Sequence, residues 1–280
     1  MIHRRGLLAS GIALAAAPSF ARAASPSRVM LIGSLEQGSL VVGRTDPDAR
    51  VTVNGRKLSV GSGGYFGFGL EFDQTTASTL IARFADGTTE SRDVAPVVRK
   101  YDVQTINGLP PQQAHPTDPA ITARIQHEHA LVGAARTADT DLSAFSEPFD
   151  WPAHGIISGV FGSQRILNGT PSAPHFGVDI AAGEGGEIRA PAGAVVALVG
   201  QFFLEGGYTM LDHGHGVFSG YLHQSKQLVK QGDIVKRGQL IGNVGHTGRA
   251  TGPHLHWALN WFQVRLDPSR STRTPTASKV

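Results

Sequence analysis

Three short segments carry the residues best suited to chemistry: His175-Phe176-Gly177-Val178-Asp179, Tyr221-Leu222-His223 and His254-Leu255-His256. In the last, strand alternation puts both imidazoles on one face about 7 Å apart along the chain, with Leu255 and Trp257 on the other. Tyr221 and His223 share a face in the same way. In the first, an ideal strand would hold His175 and Asp179 roughly 13 Å apart, and Pro174, Gly177 and Val178 disfavour the helix that would bring them together. If that pair serves one ion the chain must bend, and Gly177 is where a bend costs least. Each segment alone is a weak signal whose plainer reading is a solvated polar face. Together they offer four histidines and an aspartate, in a chain with no cysteine among its 280 residues. Zinc suits such a set, with neutral imidazole and carboxylate ligands and an open position for water, whose pKa falls to about 7 on the ion.

These residues need short strands to carry them. From about residue 149 to 268 the chain is glycine-rich and strand-like, at Ala194 to Val199, Tyr208 to Leu211, Val217 to Leu222, Leu240 to Val244 and His254 to Trp261, with no helical period. This pattern predicts an all-β domain. Residues 28 to 98 read as a small antiparallel sandwich-like domain, with Val41-Val42, Val51 to Val53 and Thr79 to Ile81 as strand cores. Asn54-Gly55 and Asp86-Gly87 are dipeptides suited to tight hairpins, where both central positions take positive φ. Residues 99 to 148 read as a linker containing one helix over 119–136, with Asp118 as N-cap, Pro119 at its first position and Ile121, Ile125 and Val132 on one stripe. The fold class expected is mostly β.

The spaced motifs Asn168 to Asp179, Tyr221 to His223 and Gly252 to Trp257 resemble those of the M23 family of peptidases, the lysostaphin and LytM-type endopeptidases, over roughly residues 149–268. The resemblance implies a β-sheet groove domain in which an extended peptide lies across a zinc ion held by His175, Asp179 and His256. It implies that His223 and His254 flank the metal-activated water, as general base and oxyanion stabiliser. Its substrates would be peptidoglycan stem peptides and cross-links, with cleavage of diaminopimelate-type cross-links as a D,D-endopeptidase ahead of polyglycine bridges. Arg165 and Asn168, in a segment similar to the one lining the family groove, and Tyr221 are candidate substrate contacts. Gly232 to Gln239 is also similar to biotinyl and lipoyl carriers, but Lys236 lacks the surrounding motif. His213, His215 and His246 read as exposed turn residues, and His127, His129 and His154 as surface residues.

The formal charge of +3 lies in the first 23 residues, where Arg4, Arg5 and Arg22 face no acid. What remains is balanced, which argues against a nucleic-acid partner. Those residues have the parts of a secretory signal: Arg4-Arg5, an apolar stretch from Gly6 to Ala17, and Ala21-Arg22-Ala23 as a cleavage site. The expected location is the periplasm or outside the cell, and Arg4-Arg5 before Gly6-Leu7-Leu8 also resembles a twin-arginine signal. No later segment reaches the roughly 20 apolar residues of a transmembrane anchor, and without cysteine there are no disulfides. Residues 269 to 280 are polar and basic and read as a disordered tail. A non-catalytic wall-binding regulator is the alternative function, although such relatives lack metal ligands and none is missing here.

Overall fold

The computed structural model describes residues 26–273, so the secretory signal read over 1–23 and the tail from 274 onward lie outside the described residues. The mostly-β expectation holds. The N-terminal region consists of β1 (Met30–Ile32), β2 (Leu40–Arg44), β3 (Arg50–Val53), β4 (Arg56–Leu58), β5 (Tyr65–Gly69), β6 (Ser78–Arg83) and β7 (Thr89–Val94). They form two small antiparallel sheets, β1-β2-β5 and β4-β3-β6-β7. Alternation drives this packing: Leu80 and Ala82 of β6 point inward and are fully buried, with Phe66 and Phe68 opposite.

Asn54 and Gly55 both take positive φ, 49° and 79°, and close a two-residue hairpin as expected. The turn at Asp86-Gly87 differs. Only Gly87 has positive φ, because Asp86 Oδ1 accepts from the amide of Thr88 at 2.9 Å and holds a longer turn.

The linker supplies β8 (Val103–Ile106), α1 (Pro111–Ala114) and α2 (Pro119–Ala135). Asp118 caps α2, accepting from the amides of Ala120 and Ile121 at 2.8 and 3.1 Å. The face α2 turns inward is the stripe read from sequence, with Ile121 and Ile125 half-buried and Val132 buried; Glu128 joins it, while Leu131 is 41% exposed. Glu128 is tolerated inside because its two oxygens accept from the Phe203 amide at 2.8 Å and the Arg124 guanidinium at 2.7 Å.

The C-terminal region contains β9 (Ile156–Gly159), β10 (Gln164–Leu167), β11 (Thr170–Pro171), β12 (Val178–Ala181), β13 (Glu187–Arg189), β14 (Ala194–Phe202), β15 (Gly206–Asp212), β16 (Val217–Gln227), β17 (Ile234–Val235), β18 (Leu240–Val244), β19 (Leu255–Trp261) and β20 (Val264–Leu266). Its main sheet runs β17-β14-β15-β16-β19-β12-β9. Strand β8 pairs in parallel with β10, so the linker is stitched into this region.

One apolar core runs through both regions, from Phe66, Phe68 and Leu80 to Leu211, Trp257 and Leu266. A part-buried ion pair, Arg99 to Asp267 at 2.8 Å, joins the linker to the residue just after β20. Residues 269–273, read as the start of a disordered tail, are instead held. Pro268–Ser271 form a 3-10 turn capped by Asp267, and the amide of Phe149 donates to Ser271 at 2.7 Å.

Candidate metal centre and groove

The site is built where β12, β19 and β16 lie side by side. Asp179 of β12 is opposite His256 of β19, and His256 is opposite Leu222 of β16. Cross-strand partners in register have neighbouring side chains, which brings Asp179 and His256 together directly. His175 lies four residues before Asp179 and reaches back to it after the bend expected at this segment, with Nε2 3.0 Å from Asp179 Oδ1. Two glycines make the room. A Cβ on Gly177 would stand 2.4 Å from His256 Nε2, and one on Gly159 would stand 2.3 Å from Asp179 Oδ2. The open space at Gly159 is a requirement that the sequence did not signal.

Three ligand atoms thus converge: His175 Nε2, His256 Nδ1 and Asp179 Oδ1 are 2.9 to 3.0 Å from one another. Ligands about 2.1 Å from a tetrahedral zinc are separated by roughly 3.4 Å, so a small shift fits the donor set to one ion. Protons alone satisfy such a triangle poorly.

His223 and His254 join this group. Their rings are 4.8 Å apart, and His223 stands 6.2 Å from the ring of His256. His223 does not follow the strand alternation that places Tyr221. Its φ is 64°, its amide donates to the carbonyl of Glu205, and the neighbouring pairing is irregular, so the side chain turns into the site.

Tautomers are set by the backbone. His175, His223 and His254 each give Nδ1–H to a carbonyl, of Val160 at 3.1 Å, Thr247 at 2.8 Å and Gly252 at 2.8 Å, which turns Nε2 toward the site. Burial, followed by the charges of His254 and His256, pushes His223 down to about 3. Burial also pushes His256 down to about 4, against the pull of Asp179. Burial by itself would raise Asp179, but His175 and His256 hold it well below the usual carboxylate range. At neutral pH the site therefore holds a carboxylate and unprotonated His223 and His256, the state a cation requires.

The candidate substrate contacts fall differently. Arg165 borders the groove, but it donates to Asp179 Oδ2 at 2.9 Å and so fixes the second carboxylate oxygen. Asn168 spends its side chain on the linker, accepting from the Leu109 amide at 3.2 Å and donating to the Leu109 carbonyl at 2.8 Å. Tyr221 is fully buried, with its hydroxyl 2.7 Å from Ser219 Oγ, and cannot touch a ligand in the groove.

Two histidines read as exposed are buried as well: His213 is 0% and His215 4% exposed. Their rings pack 4.7 Å from those of Phe149 and Phe145, and His213 bonds Gly193 O and Ser219 Oγ at 3.0 and 2.7 Å. A turn placed between the two regions is a buried turn. His246, in contrast, is exposed beside Glu184.

Around the centre runs a groove of about 600 Å³. One wall comes from the linker, including Ile106, Leu109, Val132 and Arg136, and the other from the loop Arg249–Pro253. The floor of this cleft thus carries a His/Asp cluster of the kind that could hold a cation. Residues 173–268 match the model of peptidase family M23, and that stretch is assigned to the family.

The chain is 45% identical over 127 residues to the peptidoglycan DD-endopeptidase ShyA of Vibrio cholerae, covering 44% of this chain and 29% of that one. It is 44% identical over 115 residues to the DD-carboxypeptidase/endopeptidase Mpg of Neisseria meningitidis, covering 40% and 23%. The matched stretch thus spans less than a third of the length of either relative. A Pseudomonas aeruginosa crystal structure assigned to peptidase M23 superposes with a TM-score of 0.62 at 28% identity, covering 86% of this chain and 91% of that one.

Proposed function

We propose that the protein is a zinc-dependent endopeptidase that hydrolyses peptide cross-links of peptidoglycan. The observation that carries this reading is the triangle of His175, Asp179 and His256, with sides of 2.9 to 3.0 Å and two further histidines beside it, on the floor of an open groove. The chemistry is assigned to the domain at 149–268, with residues 28–98 as a supporting module. ShyA and Mpg, named as DD-endopeptidase and DD-carboxypeptidase/endopeptidase, support a D,D-cross-link as the bond cleaved.

His175, Asp179 and His256 would hold the ion. Zinc, when bound, supplies a Lewis acid that polarises the scissile carbonyl and activates water. The chain's own residues do the rest. Arg165 and the Val160 carbonyl orient Asp179 and His175, so both ligands are held in place before the ion arrives. His223 and His254 present Nε2 to the same space. One accepts on Nε2 the proton lost by the attacking water, and the other, when it carries a proton on Nε2, donates a hydrogen bond to the charge growing on the carbonyl oxygen. His254, with 16% of its side chain exposed, stands nearer the solvent that must finally receive or return that proton.

Export to the periplasm or beyond is part of the same proposal, since the substrate lies there and residues 1–23 have the composition of a secretory signal. Among the described residues no helix is long and apolar enough to cross a membrane.

Purified diaminopimelate-type peptidoglycan, incubated with the mature protein, tests the reading. Soluble muropeptides lacking a cross-link are expected with zinc, and neither with chelator nor with His256→Ala. Zinc-loaded protein that binds the wall and releases nothing would leave the regulator reading in its place.

A further inference from the structure

The groove has a second charged feature that the proposed reaction does not use. Arg136, just beyond α2, is 4% exposed, and its Nε has no hydrogen-bond partner. The hydroxyl of Tyr208, a residue 2% exposed, lies by the Arg136 guanidinium but makes no well-formed hydrogen bond. Both residues line the groove together with Arg265 of β20. The guanidinium carbon of Arg265 lies 5.9 Å from the ring centre of Phe176, the residue after the proposed ligand His175. This places the basic cluster beside the reaction centre, on the linker side.

The other arginines of the groove are occupied. Arg165 is on Asp179, and Arg249 reaches the Gln113 carbonyl at 3.4 Å. The groove's carboxylates are occupied too: Asp179 faces Arg165 and the histidines, and Glu205 faces His129 at 3.5 Å. Among the described residues neither Arg136 nor Arg265 has a carboxylate at ion-pair distance. Although the side chain of Arg265 as a whole is exposed, desolvation of its guanidinium at the groove pushes it down to about 10, and the charge of Arg136 adds to that. Two guanidiniums brought together without an anion are electrostatically unfavourable, and a ligand anion between them removes the conflict. The planar guanidinium fork matches a carboxylate, and a phenol adds a neutral donor.

We propose that Arg136, Arg265 and the Tyr208 hydroxyl form a carboxylate subsite, so that the preferred substrates are peptides with a free carboxylate close to the scissile bond. This rests on the peptidase reading above and narrows it. The carboxylate comes either from the peptide's C-terminus or from an acidic side chain of the peptide.

The test uses the zinc-loaded full chain and one cross-linked peptide in three forms: with all carboxylates free, amidated at the C-terminus, or amidated at the side-chain carboxyl. One amidation is expected to lower kcat/KM by about 10- to 100-fold, mainly through KM, the usual value of a charge-assisted bond to a buried group. Which amidation does so identifies the source. In Arg265→Gln that preference shrinks to within about threefold, and Arg265→Lys restores part of it. Arg136→Gln should behave like Arg265→Gln. If burial makes the Arg136 variant unfold, the Arg265 variants, made at an exposed residue, decide the matter alone.

Equal kcat/KM for all three peptides in the wild type, or full preference retained in Arg265→Gln, overturns the subsite while leaving the peptidase intact. A wild type that cleaves none of the three removes the peptidase reading and the subsite with it.

Discussion

Between residues 29 and 94 the buried polar side chains are Gln37, Ser39, Thr45 and Ser78, none of them ionisable, whereas the C-terminal sheet buries His175, Asp179, Asp212, His213, His215 and His223. The two regions share one apolar core, so the contrast is not one of packing quality. Desolvating an ionisable group costs several kcal/mol unless partners compensate. The N-terminal sheets avoid that cost and keep their charges outside, as Arg28 does with Asp46 and Asp86. The C-terminal sheet accepts it and meets it with backbone carbonyls, the Arg165 guanidinium and mutual contacts. Buried charge is where this molecule departs from a merely stable fold, and that is where function is proposed.

Substitutions in the two regions should therefore separate chemistry from stability. Asp179→Ala should give the largest effect, a loss of activity of at least about 1,000-fold together with loss of bound zinc, since two histidines alone hold the ion weakly. Elemental analysis after dialysis and a muropeptide assay would show it. Retained zinc would remove Asp179 from the ligand set. His223→Ala or His254→Ala should lower kcat by about 100- to 1,000-fold with zinc content unchanged. A change in metal affinity instead would make that histidine a ligand.

In the N-terminal core, Leu80→Ala should cost about 2–5 kcal/mol in urea unfolding, while folded protein keeps its kcat. A fall in kcat at full folding would break the contrast between the regions.

The pH dependence sharpens it further. Burial pushes His213 down to about 4 from an ordinary 6.5, so between these values the unfolded chain binds the extra proton and stability rises with pH. This one residue should take about 2 kcal/mol from the metal-free protein between pH 7 and pH 5, and His223 and His256 act in the same direction. Chemical denaturation of chelator-treated protein at both pH values measures the loss, and His213→Asn should reduce it by about 2 kcal/mol, leaving the share of His223 and His256. The smallest effect is expected at Gly55, where φ is 79° and a Cβ would meet nothing within 4 Å. Gly55→Ala should cost about 1 kcal/mol through backbone conformation alone.

Strand positions were largely legible in sequence because alternation and turn dipeptides are local: β18 runs over Leu240–Val244 as read, and β6 extends Thr79 to Ile81 by a few residues. The linker helix was legible from Asp118-Pro119. Its inward face was legible from Ile121, Ile125 and Val132, but the burial of Glu128 on it was not, since that carboxylate is accepted inside only because the distant Phe203 amide meets it. The same holds for Tyr221 and Asn168. Both are near the centre in sequence, yet one is enclosed by its own sheet and the other is claimed by Leu109. His213 and His215 were misread because a glycine-rich turn looks solvent-exposed until another region covers it.

The sequence by itself determined the donor types of the candidate centre and excluded sulfur from it, because composition settles which ligands exist. It also determined that paired histidines stand on one strand face, because the period of a strand is local. Only the tertiary structure decided that His175 returns to Asp179, that a left-handed residue turns His223 inward, and that the linker supplies one wall of the groove with an unpaired arginine in it. Each of these depends on contacts between residues far apart in the chain, and no local pattern encodes such contacts.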